Sequence, residues 1–451
     1  MYRSYTVNAL AELICEVQSS AVLSMPVKHA ARRCVLDGLG AAAAGFETPS
    51  AKVLRRVMRR CFRDGAASIW FETEKLQAAA AAVCNSGAAS ALDVDDGHRA
   101  AAGHPGSAVI PTALAVAEET GASAEDFLTA VVLGYEIGVR VAAARDFAVL
   151  DTLSTGRWAA YGVAAAACRL LGLTSSQTAE ALAISGVLSP GLSAAGYSAL
   201  MGNHVKEGIP WAVLTGLLAV SLAAEGFSGP TDILDHPAYF KASRIHQDLG
   251  VTFAIERTYF KPYTCCRWIH SALDALLALM DDYQLSGHSI ARVDVHTFSR
   301  ALKLNNDTAP PTMESAQYSV PFCLAVAAMR GKDALLPMKA ALLKDSQLHA
   351  WASRVVLHRD EAMEALFPER VAARVCVSTA MGSFEKTVLD PLGDPANPMS
   401  DAMLEHKFRR LSRHQLSAVE QDRLVDLVRT LELLPSVHPL TTRLSCAGAL
   451  A

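Results

Sequence analysis

Residues 27–46 read VKHAARRCVLDGLGAAAAGF, directly after Pro26. Proline fixes φ near its helical value and has no N–H to leave unused, so it opens a helix. The run ends in Gly38, Gly40, Ala41 to Ala44 and Gly45, small residues that let a second backbone come close. A helix of this kind belongs among other helices. The following segments agree. Pro111 is expected to open a helix that Gly121 closes, and Pro210 another that ends near Gly226. Ser123 with Asp126, and Thr174 with Gln177, read as capping boxes. Strand-like alternation is nearly absent up to about residue 250, so the fold class is mainly α.

The pattern changes near Thr252. Ala291 to Phe298 (ARVDVHTF) alternates apolar and polar, as a half-buried strand does. Arg374 to Ser378 and Phe384 to Leu389 read as a strand pair around Met381-Gly382. Helices are expected between them, from Glu314 to Arg330 and from Asp333 to Lys344. The Pro/Gly-rich stretch from Leu389 to Ser400 reads as a linker. Asp401 to Leu434 is helical again and is expected to return to the first part. The expected division is a helical domain of residues 1–254 plus 401–451, and an α+β domain of residues 255–400.

The chain has 451 residues, half of them hydrophobic and few aromatic, with a formal net charge of −4 and no basic block. That balance argues against nucleic acid as a partner. The ten cysteines are scattered with no CxxC pair, as free thiols in a reducing cytoplasm would be. MYRSYTVNALAELICEV lacks the basic-then-apolar order of a signal peptide and reads as an amphipathic helix. Trp211 to Ala224, the most apolar helix, is too short to span a bilayer, so no membrane role is expected.

Residues 92–111, LDVDDGHRAAAGHPGSAVIP, concentrate Asp93, Asp95, Asp96, His98 and His104 on a proline- and glycine-bounded turn. Titratable groups on a fixed loop between helices suggest an active-site segment; a solvated acidic loop with one capping Asp is the alternative. Asp95 and Asp96 are expected to be structural, and His98 to face solvent or a neighbouring subunit. Glu136 and Arg140, four apart on a helix, pair either functionally or as an ordinary surface ion pair. Ser154-Thr155-Gly156-Arg157 offers backbone N–H groups and a cation before a helix, the parts of an anion site or of a simple cap. Lys206 stands just before the Pro210 helix. Tyr259 to His270 (YFKPYTCCRWIH) gathers Lys261, Tyr263, Arg267 and His270 at the expected junction, where clefts form. Lys206, Lys261, Arg157 and Arg267 can bind carboxylates, and Asp93, His104 and His270 can move protons. There is no P-loop, no GxGxxG after a strand, no GxSxG and no HExxH, so a nucleotide cofactor is not expected. Asp93-Val94-Asp95-Asp96 lacks the spaced DDxxD form that a metal-dependent helical enzyme of diphosphate chemistry would carry.

Taken in order, these segments resemble the MmgE/PrpD family, which includes 2-methylcitrate dehydratase, cis-aconitate decarboxylase and iminodisuccinate epimerase. The resemblance runs through Val35-Leu36-Asp37-Gly38-Leu39-Gly40, the Asp93 and His104-Pro105-Gly106 segment, Gly134-Tyr135-Glu136 and Lys206. It continues through Gly226-Phe227-Ser228-Gly229-Pro230, Lys261-Pro262-Tyr263 with His270, Ala316-Gln317-Tyr318-Ser319 and Gly393-Asp394-Pro395. It implies a large helical domain with a smaller α+β lid, a site in the cleft between them, a homodimer, and no metal or organic cofactor. Asp93, His104, Lys206 and His270 carry over as catalytic positions. Arg157, Lys261, Tyr263, Arg267 and Tyr318 are expected to bind substrate. The departures are Gly97 where decarboxylase-like members have Thr, Leu153 where many have His, Phe322 for a Tyr, and Thr264 for a Pro. The expected reaction is proton abstraction next to a carboxylate of a di- or tricarboxylic acid. A 2-methylcitrate- or citrate-type dehydratase is the first expectation; the alternatives are a cis-aconitate decarboxylase or an epimerase, and more distantly a metal-dependent helical enzyme or a non-catalytic relative. His104 and His270 are the expected acid–base pair, with Asp93 holding the His104 tautomer.

Overall fold

The computed structural model describes residues 5–17, 23–147, 149–191 and 202–446. The opening stretch forms the helix Met25–Gly45, capped by Ser24, whose hydroxyl accepts from the Val27 N–H. Its small-residue end does allow close approach: a Cβ on Gly45 would stand 2.0 Å from the Ala88 carbonyl oxygen of the helix Ala78–Ser90.

Around this pair pack the helices Gly106–Thr120, Ala124–Ala143, Ala159–Leu171, Ser175–Leu188 and Ile209–Ala224. Ala159–Leu171 lies against four of the others, and all of its residues from Ala159 to Cys168 are buried. Alanine at these positions loses little side-chain entropy on burial and keeps helix axes close. The capping box of Thr174 and Gln177 is formed on both sides, and the Ser123 hydroxyl accepts from the Asp126 N–H at 3.0 Å. The proline expectation needs correction at one point. Pro105, at φ −66°, begins the helix Gly106–Thr120, and Pro111 lies inside it. The conformation already set by Pro105 lets the helix start five residues earlier than the composition around Pro111 implied.

The later half carries a four-stranded sheet in the order Val355–Arg359, Ile290–Thr297, Ala373–Thr379, Gly382–Val388. The first pair is parallel and the others antiparallel. Helix Arg267–Asp282 covers one face, and Ile290, Val293, Val295, Val375 and Val377 point into a shared core with it. The strand Val355–Arg359 was not legible as a strand. The region read as one helix from Glu314 to Arg330 is two, Met313–Gln317 and Val320–Arg330. Ser319 breaks the run, its hydroxyl accepting from the Phe322 N–H at 3.1 Å to cap the second helix. Asp333 to Lys344 forms two short 3-10 turns, not a helix.

Helix Asp401–Ser412 packs on Met25–Gly45. The buried Lys407 ammonium donates to Asp37 Oδ1 at 2.5 Å and to the Val94 carbonyl at 2.7 Å, so the tail grips both the first long helix and the Asp93 loop. A second link, absent from the sequence reading, is a two-residue antiparallel pairing of Gly97–His98 with Thr258–Tyr259. It brings the loop of residues 92–104 beside the segment that carries Lys261. Among the described residues no helix is long and apolar enough to cross a membrane.

Candidate active site

The site begins with backbone shape. Asp93 (φ 52°) and Lys206 (φ 47°) both adopt the left-handed conformation that non-glycine residues avoid. Such residues persist where the surroundings hold them, commonly at functional sites, at a cost of about 1–3 kcal/mol each. Both line a narrow recess, together with Asp95, His104, Glu207 and Tyr318.

His104 is buried, and its orientation is fixed from several sides. Its N–H donates to Thr155 Oγ1 at 3.1 Å, and its ring Nδ1 lies 2.8 Å from the Asp96 carbonyl oxygen. A carbonyl only accepts, so Nδ1 carries a proton and Nε2 is the nitrogen left to face the recess. Nε2 faces Asp93 Oδ1 at 3.4 Å and Glu207 Oε1 at 3.5 Å, while Asp95 Oδ2 stands 3.5 Å from Nδ1. Burial and the nearby Lys261 push the imidazole pKa down, but the carboxylates of Asp95 and Glu207 outweigh them and lift it to about 9. The ring is therefore an imidazolium at neutral pH. The tautomer is held by the Asp96 backbone rather than by Asp93, which corrects the sequence expectation.

Asp93 is committed elsewhere. The fully buried Lys261 donates to its Oδ1 at 2.7 Å and to its carbonyl at 3.0 Å, while Asp93 Oδ2 makes no hydrogen bond among the described residues. Burial alone would lower the Lys261 pKa; Asp93, Tyr259 and Asp95 raise it instead. Lys261 thus neutralises Asp93 and is not a free carboxylate clamp. Lys206 is also engaged: its ammonium donates to the Ser90 carbonyl (2.7 Å), the Ala91 carbonyl (3.2 Å) and Gln317 Oε1 (2.8 Å), and lies 5.9 Å from the centre of the Tyr318 ring.

Asp96 is structural, as expected. Its carboxylate accepts from Tyr135 Oη at 2.5 Å and the Gly106 N–H at 3.1 Å. Burial, with Asp37 adding to it, lifts its pKa to about 7 against those hydrogen bonds. Gly106 makes this possible, since a Cβ there would stand 2.5 Å from both Asp96 Oδ1 and the Tyr135 hydroxyl. His98 does not face solvent: it is buried, its Nε2 is 3.1 Å from the Ala254 carbonyl, and burial lowers its pKa to about 4. Glu136 and Arg140 do pair, but not as a surface ion pair. Glu136 is fully buried and accepts from the Ala254 N–H at 2.6 Å, while Arg140 gathers carbonyls of residues 245 to 252, fixing the loop toward Thr258.

Besides Lys261, four candidates do not line the His104 recess. His270 is fully buried; its Nε2 meets the Cys265 carbonyl at 3.1 Å and its Nδ1 meets Arg267 at 3.3 Å. Burial and the charges of Arg267 and Lys261 hold its pKa well below the usual value, so the ring is neutral. Tyr263 donates to Asp274 Oδ1 at 2.8 Å and packs against His270. Arg267 holds the carbonyls of Pro391 and Leu392. Arg157 is half-buried beside Arg145, whose pKa burial and then Arg157 lower to about 9. Of the departures, Leu153 and Phe322 are buried, and the Thr264 hydroxyl ties the turn at Leu335 and Met338.

Glu207 is the residue that sequence reasoning missed. It is buried beside His104; its Oε2 accepts from the Thr155 N–H at 3.1 Å and from the Thr155 hydroxyl. Burial would raise its pKa, but His104 and Thr155 bring it down to about 2. Its only signal was its place after Lys206, and two adjacent side chains face one recess here because the left-handed Lys206 turns the chain. Asp93, His104 and Glu207 offer ligand atoms within 4.8 Å of one another, a set that suits a divalent ion. The Lys261 ammonium and the His104 imidazolium already supply positive charge to those carboxylates, so an ion would have to displace the Lys261 ammonium from Asp93 and the proton from His104 Nε2.

Residues 8–248 match the MmgE/PrpD N-terminal domain and residues 263–433 the MmgE/PrpD C-terminal domain. A cis-aconitate decarboxylase of Aspergillus terreus is 27% identical over 93% of this chain and 92% of its own length. The cis-aconitate decarboxylase-like protein oryM of Aspergillus oryzae is 26% identical over 97% of both chains. The human cis-aconitate decarboxylase is 28% identical over 51% of this chain and 50% of its own. The chain belongs to the MmgE/PrpD family.

Proposed function

We propose that this lyase moves a proton through His104 at a carbon near a carboxylate of a small di- or tricarboxylic acid, without metal or organic cofactor, and that carbon dioxide is the group lost. The observation that carries this reading is the His104 ring, fixed at Nδ1 by the Asp96 carbonyl, with Nε2 facing the recess beside Asp93 and Glu207. In a decarboxylation the C–C bond to the departing carboxylate breaks, CO₂ leaves, and the electron pair remains on a carbon conjugated with a second carboxylate. Such a step ends on a proton donor, and His104 Nε2–H is one. Lys206, and the imidazolium itself, would stabilise the charge as it develops. Asp93 and Glu207 hold the imidazole in its charged form, and His270 positions Arg267. The names of the relatives favour the same outcome.

Dehydration of a 2-methylcitrate- or citrate-type hydroxy acid is the second reading. It needs a base as well as an acid, and the unbonded Asp93 Oδ2 offers one. Gly97, in place of the decarboxylases' Thr, favours it. In either case residues 255–400 act as a lid over the part formed by 1–254 and 401–451, and the working unit is a cytoplasmic homodimer. The nine cysteines from Cys15 to Cys376, all free, support a reducing compartment. Proton NMR in deuterated water with citrate, 2-methylcitrate, cis- and trans-aconitate and iminodisuccinate tests the chemistry. Loss of CO₂ supports the first reading, an unsaturated acid formed from a hydroxy acid supports the second, and exchange without elimination indicates an epimerase. No change with any acid counts against both.

A further inference from the structure

A second recess adjoins the first at His104 and Glu207, which line both. Its other walls include Arg99, Tyr259, Cys266 and Arg267. This wall is cationic and underpaired. Arg99 Nε donates to Asp394 Oδ2 at 2.6 Å, and Arg267 Nη2 lies 3.6 Å from the same oxygen, so one carboxylate serves two guanidiniums. Arg99 Nη1 and Arg267 Nε are buried with no hydrogen-bond partner. Arg267 is 4% exposed, and an orphaned guanidinium N–H at that depth is costly unless something accepts from it. Burial lowers the Arg267 pKa, and the adjacent Arg99 acts in the same direction; a second anion would relieve both.

Tyr259 completes the wall. In the short pairing it stands opposite Gly97, and a Cβ on Gly97 would come within 2.3 Å of the Tyr259 hydroxyl and 2.4 Å of its Cζ. The phenol lies over the bare glycine backbone, a place that any side chain at position 97 would take. The Arg267 guanidinium stacks 4.8 Å from the ring centre.

We propose that this recess binds one carboxylate of the substrate: Arg99 and Arg267 receive it, and Tyr259, admitted by Gly97, sets the depth of the recess and donates its hydroxyl. This rests on the reading of the protein as a lyase of di- and tricarboxylic acids, and makes Gly97 and Tyr259 a pair that determines which acid fits.

The test is calorimetric titration of propane-1,2,3-tricarboxylate, a saturated acid with no bond to cleave, into the full-length wild type, Arg99→Gln and Tyr259→Phe. Losing a charged hydrogen-bond donor is expected to weaken binding about tenfold or more in Arg99→Gln, and losing the hydroxyl about threefold or more in Tyr259→Phe. Tyr259→Phe keeps the ring packing, so it decides the matter if Arg99→Gln fails to fold. Wild-type binding with both variants within twofold overturns the proposal and leaves the lyase reading standing. A wild type that neither binds this acid nor converts any of the panel overturns both.

Discussion

Replacing Glu207 by Gln removes a negative charge 3.5 Å from His104 Nε2 while keeping an oxygen for the Thr155 N–H. An opposite charge at this range supports the charged form by about 1–3 pKa units. The His104 pKa, about 9 in the wild type, is then expected to fall to roughly 6–8. Asp95 remains, so the ring does not drop to the value that burial alone would give. The assay is NMR titration of the histidine rings, with the His104 resonance assigned by its loss in a His104→Gln variant. A pH–rate profile on whichever acid is turned over is the second readout. If the imidazolium donates the proton, activity declines as pH rises through the His104 pKa, and the variant's alkaline limb moves down by the same amount. A ring titration unchanged by Glu207→Gln would refute the electrostatic argument. A ring that shifts while the alkaline limb stays in place would refute the role of His104 as acid.

The remaining predictions concern stability and construction. Lys407→Met leaves Asp37 buried without its cation and is expected to cost about 3–5 kcal/mol in urea unfolding, most of it recovered by Asp37→Leu in the same chain. His104 has a folded pKa raised above its unfolded value, so its contribution is fully present below about pH 6.5 and is lost as pH rises through about 9. The stability advantage of wild type over His104→Gln is therefore expected to be about 3 kcal/mol near pH 6 and to vanish above pH 10, measured by denaturant titration at each pH. Gly106→Ala drives a methyl group into the buried Asp96–Tyr135 contact and is expected to lower the melting temperature; an unchanged melting temperature would contradict the structural role given to that cradle. Chelator treatment should leave turnover unchanged, because Lys261 and His104 already neutralise the carboxylates of the cluster.

Much of the fold was legible because helix signals are local. Pro26, the Gly/Ala end of the first long helix, the Thr174–Gln177 box and the alternation from Ala291 to Phe298 each act within a few residues. The errors arose where distant contacts decide. Pro111 sits inside a helix because Pro105 had already set the start. Glu314 to Arg330 breaks at Ser319, whose hydroxyl turns to its own backbone. Of the site, the Asp93–His104 loop and Lys206 were readable as titratable groups beside turn residues, and the structure brings them to one recess. Their partners were not readable. Lys261 and Asp93 meet only through the pairing of Gly97–His98 with Thr258–Tyr259, and Glu207 faces His104 only because Lys206 is left-handed. His270 looked like a catalytic group by residue type, and only burial shows that its nitrogens are already occupied.

The most direct test of the central claim is the turnover of His104→Gln on the acid that the wild type converts, with binding of that acid measured on the same sample. Loss of a general acid is expected to lower kcat by about 10²–10⁴ with affinity held within a few fold. A variant that retains kcat within threefold of the wild type would show that the proton is delivered by another group.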